Sequence, residues 1–222
     1  MPSKQQVTGS NPVGDANALV AQLVAQLTFN QLVAGSSPAE SIDKYMCMKS
    51  FLHHLNEQPK GEIYCDMDGV LVDIIGGIAK LYGIKDLNNR NFDSHVDPLK
   101  PRIDKEHPNL FAELPWMKDG KMLWNYIAKF EPNILSAHTN TWQPNSKKDK
   151  MRWIEKNLRP LPTLSHILVR RDKQKFAKIG GVPNILIDDW SKNIKEWEAA
   201  GGIAIKHKNA AETIAALKKL GY

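Results

Sequence analysis

The segment Asp66-Met67-Asp68-Gly69-Val70-Leu71-Val72-Asp73 stands directly behind the apolar run Ile63-Tyr64-Cys65, so two carboxylates fall where a buried strand should end. In open α/β sheets the ligand crevice lies outside the carboxyl ends of the strands. A short turn there aims acidic side chains and free backbone N–H groups at a single point. Gly69 permits such a turn. Side chains alternate along an extended segment, so Asp66 and Asp68 project to the same side, close enough to share a cation or divide the work of nucleophile and acid/base. Taken alone, the same residues also read as an acidic turn that closes a strand.

Three more apolar runs end in polar residues. Asn133-Ile134-Leu135 ends in Ser136, His166-Ile167-Leu168-Val169 is followed by Arg171-Asp172-Lys173, and Ile185-Leu186-Ile187 runs into Asp188-Asp189. Strands are predicted near 62–66, 132–136, 166–170, 184–188 and 202–206. They are mostly solid apolar runs of the kind a parallel sheet buries on both faces. Helices fall between them. Ser146 to Leu158 carries Met151, Ile154 and Leu158 at helical spacing, and Ser191 to Ala200 stops at Gly201-Gly202. Asn209 and Glu212 resemble a capping box that opens a last helix burying Ile214 and Leu217. The order predicts an α/β fold, a Rossmann-like and mostly parallel sheet with helices on both faces, joined by right-handed crossovers. Residues 74–130 exceed what one crossover helix needs. Within them, 88–109 are polar and hold three prolines, which predicts loop.

Those four strand-end motifs, in that order, resemble the haloacid dehalogenase (HAD) phosphohydrolases, whose motifs are an Asp-x-Asp loop, a Ser/Thr, a Lys and a terminal acidic pair. The resemblance covers Asp66 to Asp189. It implies that Asp66 attacks phosphorus to form an aspartyl-phosphate and that Asp68 is the general acid/base. Ser136 would bind a phosphoryl oxygen, and a lysine would offset charge on the phosphate and the nucleophile. Lys173 is the first choice for that lysine, with Lys175 and Lys178 near enough to keep in view. Converging carboxylates repel unless a cation sits among them, and hard oxygen ligands beside phosphate favour Mg²⁺. Its expected ligands are Asp66, the backbone carbonyl of Asp68, and one or both of Asp188 and Asp189. Asp189 could instead cap the helix that starts near Ser191. His138, just past Ser136, is not taken as a general base, because the carboxylates already fill that role.

In HAD enzymes an insertion after the first motif forms a cap that selects substrate and excludes water, which implies a small, mainly helical cap over about 74–130. Tyr82, Phe92, Phe111 and Trp116 are candidates for stacking on a base or sugar, with packing as the competing role for each. Within the superfamily the chain is similar to the 5′(3′)-deoxyribonucleotidases. Asp-Met-Asp-Gly-Val-Leu opens the motif as in that family, and Lys150-Met151-Arg152-Trp153-Ile154-Glu155-Lys156 resembles its Lys-x-x-Trp-Val-x-Lys helix. Where that family places Thr-Ser-Pro, this chain has Ser136-Ala137-His138. The substrate class implied is a small phosphomonoester, chiefly a nucleoside monophosphate.

A formal charge of +6 suits an anionic substrate and equally a nucleic-acid backbone, so a polynucleotide 3′-end phosphatase is the rival reading. Further alternatives are a phosphatase for other small molecules and a non-catalytic binding protein on the same scaffold. The oligomeric state stays open, a dimer included. Two cysteines, Cys47 and Cys65, make no disulfide framework, and no apolar stretch reaches bilayer length. A cytoplasmic enzyme is the expectation.

The first 47 residues follow a different logic. Val7-Thr8-Gly9-Ser10-Asn11-Pro12-Val13 and Val33-Ala34-Gly35-Ser36-Ser37-Pro38-Ala39 repeat 26 residues apart, in coding sequence about one tRNA gene with its spacer. The segment resembles accidental translation of tandem tRNA genes, as in a compact phage genome, in which case the cytoplasm would be the host's. Met46 or Met48 is then the natural initiator. A real amphipathic helix is the competing reading, because Leu19, Val20, Leu23, Val24 and Leu27 have helical spacing. The expectation is an extension over 1–47 outside the fold and a hydrolase domain over 48–222.

Overall fold

The computed structural model describes residues 60–222, except 89, 140, 163, 164 and 169–171. The extension expected at 1–47, both candidate initiators, Val169 and Arg171 lie outside the described residues.

Five parallel strands form one sheet: β1 (Ile63–Cys65), β2 (Asn133–Ala137), β3 (Ser165–Leu168), β6 (Ile185–Asp188) and β7 (Ile203–Lys206), in the spatial order β3-β2-β1-β6-β7. A two-stranded antiparallel hairpin, β4 (Lys178–Ile179) and β5 (Val182–Pro183), stands apart from it. The central strand is buried on both faces, and its alternation sorts the core. Ile63 and Cys65, with Ile134, Ile185 and Ile187, join one cluster, which also contains Ile78 of α1 (Ile74–Tyr82), Trp124 of α5 (Gly120–Ile127), Trp153 of α6 (Ser146–Asn157) and Leu217 of α8 (Ala210–Lys219). Tyr64, Leu135 and Leu186 point the other way, to Trp197 of α7 (Ser191–Ala199) and Ala177. A sheet covered on both faces has only its strand ends free to meet a ligand.

The five strands fall within one residue of their predicted starts. The helix stops also agree with the sequence reading: Gly201 takes φ +84 just past α7, and Asn209 accepts from the Glu212 N–H at the start of α8. The reciprocal contact differs from a capping box, because the Asn209 amide donates to the Glu212 carboxylate at 2.7 Å. Leu217 is fully buried, and Ile214 is half-buried.

The loop expected at 88–109 is a correction. That stretch folds into α2 (Phe92–Val96), a 3₁₀ turn (Asp97–Leu99) and α3 (Lys100–Glu106), followed by α4 (Leu110–Glu113). Pro98 and Pro101 occupy first-turn positions of the 3₁₀ turn and of α3, where a missing N–H costs nothing, so the prolines start these helices rather than break them. Val96 and Ile103, both fully buried, anchor the stretch to the larger core cluster.

Candidate active site

β1 hands the chain to a tight turn. The Met67 carbonyl accepts from the N–H groups of Val70, Leu71 and Val72, and the Gly69 N–H donates to Val72 at 2.9 Å. Val70, Leu71 and Val72 are buried, which pins the turn from below. Gly69 takes φ +75, and a Cβ there would lie 2.3 Å from the Asp189 carboxylate, so this position requires glycine on two counts. The turn and the end of β6 are thereby pressed together, with Asp66, Asp188 and Asp189 between them.

One carboxylate oxygen from each lies within 4.8 Å of those of the other two. Lys173 Nζ sits against two of the three, 2.8 Å from Asp66 and 2.6 Å from Asp188, and is itself only 2% exposed. Asp188 also accepts from Asn193 and from the Trp190 N–H, both at 2.8 Å. On the other side Lys150, 1% exposed, bridges Asp68 at 2.6 Å and the Ser136 hydroxyl at 2.9 Å. The site therefore alternates acid and base: Asp188, Lys173, Asp66, then Ser136, Lys150 and Asp68.

The electrostatics follow from this order. Burial by itself would raise the Asp66 carboxyl, but Lys173 and Lys150, with hydrogen bonds from Lys173 and Ser136, hold it below the ordinary value. Asp66 is thus an anion, as a nucleophile must be. Burial and then the charge of Asp66 push Asp188 up against the pull of Lys173. Burial lowers the Lys173 ammonium, yet Asp66 and Asp188 outweigh it and raise it overall. Asp189 is pushed up to about 7 by burial first and then by Asp66, Asp188 and Asp68. A carboxyl in that condition is one a divalent cation would relieve. The residues fit such an ion. Both Asp188 oxygens already face protein donors, so Asp189, turned toward the Gly69 turn, is the better placed direct ligand of the pair, alongside Asp66.

Asp66, Asp68, Ser136, Lys173, Asp188 and Asp189 thus come together at one edge of the sheet. Lys173 is the lysine that meets the carboxylates. Lys175 is exposed and paired with Asp172 at 2.6 Å, and Lys178 is exposed on β4. No side-chain cap is seen on α7, and the N–H of Trp190, the residue just before it, donates to Asp188 rather than to Asp189. Of the four aromatic candidates, Phe111 alone is placed against a site side chain, with Lys150 Nζ 5.3 Å from its ring centre. Tyr82 packs edge-on against His107 and donates to Glu106, Trp116 packs at a tilt on Trp153 with ring centres 4.8 Å apart, and Phe92 packs on the core. The contacts of these three are packing contacts, the competing role the sequence left open for each. Burial first, and then Lys147, holds the His138 imidazole below its ordinary value.

No family model and no curated protein matches the chain. Its fold is similar to solved structures at low identity. A hydrolase from Streptococcus pneumoniae TIGR4 matches with 13% identity and a TM-score of 0.40 over 72% of this chain and 100% of that one. A HAD-superfamily hydrolase from Ehrlichia chaffeensis matches with 12% identity and a TM-score of 0.40 over 74% of this chain and 100% of that one. A HAD family enzyme from Bacteroides thetaiotaomicron, solved with magnesium and inorganic phosphate, matches with 16% identity and a TM-score of 0.40 over 68% and 95%. Likeness at this level carries nothing about activity, which rests on the side chains described above.

Lys150 was not singled out as a site residue from the sequence. It lies in Lys147-Lys148-Asp149-Lys150, which reads as a solvated charge run. The signal was its phase. Lys150, Trp153 and Ile154 share one helical face at i, i+3, i+4, and that face is buried, whereas Lys147 and Lys148 are exposed. A lysine heading an apolar stripe is a candidate for an interior ion pair.

Proposed function

We propose that the protein is a Mg²⁺-dependent phosphomonoester hydrolase of the HAD type, acting through an aspartyl-phosphate on Asp66, with nucleoside monophosphates as its substrate class. The observation that carries this reading is a buried, ionised Asp66 held by Lys173, next to an Asp68 held by Lys150. Two carboxylates so placed have separate environments and can take separate roles.

The Asp66 carboxylate forms a bond to phosphorus as the bond to the leaving oxygen breaks. Asp68 gives that oxygen its proton, then takes one from the water that attacks the aspartyl-phosphate and releases phosphate. Ser136, Lys150 and Lys173 present one hydroxyl and two ammonium groups to the phosphoryl oxygens as charge moves from nucleophile to leaving group. A Mg²⁺ bound by Asp66 and Asp189 would offset the negative charge of phosphate and acids together.

The test is phosphate release from nucleoside monophosphates, sugar phosphates and 3′-phosphorylated oligonucleotides, with and without Mg²⁺, comparing wild type with Asp66→Asn. Turnover of mononucleotides should require Mg²⁺ and fall on the order of a thousandfold or more in the variant. Reaction at oligonucleotide ends alone, falling steeply with salt, would transfer the assignment to an end-processing phosphatase.

A further inference from the structure

Lys150 reaches the site from α6, fully buried, and donates to the Asp68 carboxylate at 2.6 Å and to the Ser136 hydroxyl at 2.9 Å. An ammonium has three N–H groups, so these two contacts leave one over. Phe111 of α4 is buried as well, and Lys150 Nζ lies over its ring, 5.3 Å from the centre. A cation within about 6 Å of a ring centre is drawn to the ring face, and the attraction is larger where water is excluded. Other lysines that sit over rings, such as Lys129 and Lys218 over Tyr126, are exposed, where a contact of this kind is weak. The face attracts the charge without accepting a directed hydrogen bond of the ordinary kind. It therefore holds Nζ while leaving the third N–H for a phosphoryl oxygen.

The ring is itself fixed from two sides. It meets Trp142 at 5.9 Å and 53°, and it packs in the larger core cluster with Leu110 and Leu114 of its own stretch. Trp142 in turn lies under the Lys100 ammonium at 5.6 Å, and the fully buried Gln143 donates to the His107 carbonyl at 3.3 Å. The loop between β2 and α6 thus grips the 100–111 stretch around Phe111.

We propose that Phe111 is a positioning residue for Lys150: its ring face holds the ammonium between Asp68 and Ser136, and it acts on the reaction through that contact instead of stacking on the leaving group. This deepens the hydrolase reading and rests on it. Asp68, Ser136 and Lys150 address the phosphoryl group and the leaving oxygen, which all phosphomonoesters share. A residue acting through them changes the rate of every substrate by one factor, whereas a ring that stacked on a base would matter for nucleotides alone.

The experiment compares a deoxyribonucleoside monophosphate with glycerol phosphate, whose leaving group has no ring, on the full chain with Mg²⁺. Phe111→Leu keeps an apolar side chain and removes the ring face. Replacing Phe111 with monofluoro- and then trifluorophenylalanine keeps the shape and drains negative charge from the face in steps. Phe111→Leu should lower kcat about five- to thirtyfold, by the same factor within about twofold on both substrates, with KM for the nucleotide changed less than about twofold. The fluorinated proteins, folded like wild type by circular dichroism, should lose kcat in order of fluorine content. A fluorinated series as active as wild type would overturn the proposal, and so would a Phe111→Leu loss confined to the nucleotide and expressed in KM. Either result leaves the hydrolase reading standing. A wild type that hydrolyses no phosphomonoester would sink both.

Discussion

Asp189 is half-buried and faces three other acids, and its behaviour with pH follows from that. Its carboxyl is raised from an ordinary 3.8 to about 7. Between those values the folded chain holds a proton that the unfolded chain has lost, so this group's contribution to stability declines as pH rises through the window and is smallest above about 7. Asp66, held below its ordinary value, acts in the opposite sense and only at the acid end. A divalent cation competes with the Asp189 proton. The rise in Tm caused by Mg²⁺ should therefore be small below about 7 and grow above it, and Asp189→Asn should flatten the difference. Thermal melts at pH values on either side of 7 measure this, and an increment indifferent to pH would contradict the placement of Asp189 as a ligand.

At the level of elements, α6 couples the site to α4. Its first half presents Lys150 to Asp68 and Ser136, and its second half presents Trp153, whose indole N–H donates to the Leu114 carbonyl at 2.9 Å just past α4. Trp153→Phe keeps the ring and leaves that carbonyl unserved, which should cost about 1–3 kcal/mol in chemical denaturation and loosen Phe111 over Lys150. A variant as stable as wild type would show that α4 is held by other contacts. The strand ends were legible in the sequence because catalytic residues behind a two-faced buried strand leave an apolar run with an abrupt polar end, as at Cys65-Asp66 and Ile187-Asp188. Helices α2 and α3 were not, because Pro98 and Pro101 look like breakers until their first-turn positions are known. Lys150 was hidden for a related reason: charge runs are usually solvated, and only its phase against Trp153 and Ile154 marks it.

Across the whole molecule, one sheet collects the candidate site residues from distant parts of the chain. Asp66 and Asp68 follow β1, Ser136 is the last residue but one of β2, Lys173 precedes β4, and Asp188 ends β6, so the site exists only when β2, β1 and β6 are in register. The parallel arrangement points every one of these ends the same way. Among the described residues no helix is long and apolar enough to cross a membrane. The central claim is that Asp66 becomes phosphorylated during turnover. The direct measurement is rapid mixing of the Mg²⁺-loaded protein with a nucleoside monophosphate, an acid quench, and mass mapping of the peptide that contains Asp66. The account expects the mass of one phosphoryl group on that peptide in wild type, and none in Asp66→Asn. Phosphate release from the wild type with no phosphoryl group found there, or with one found on another residue, would contradict it.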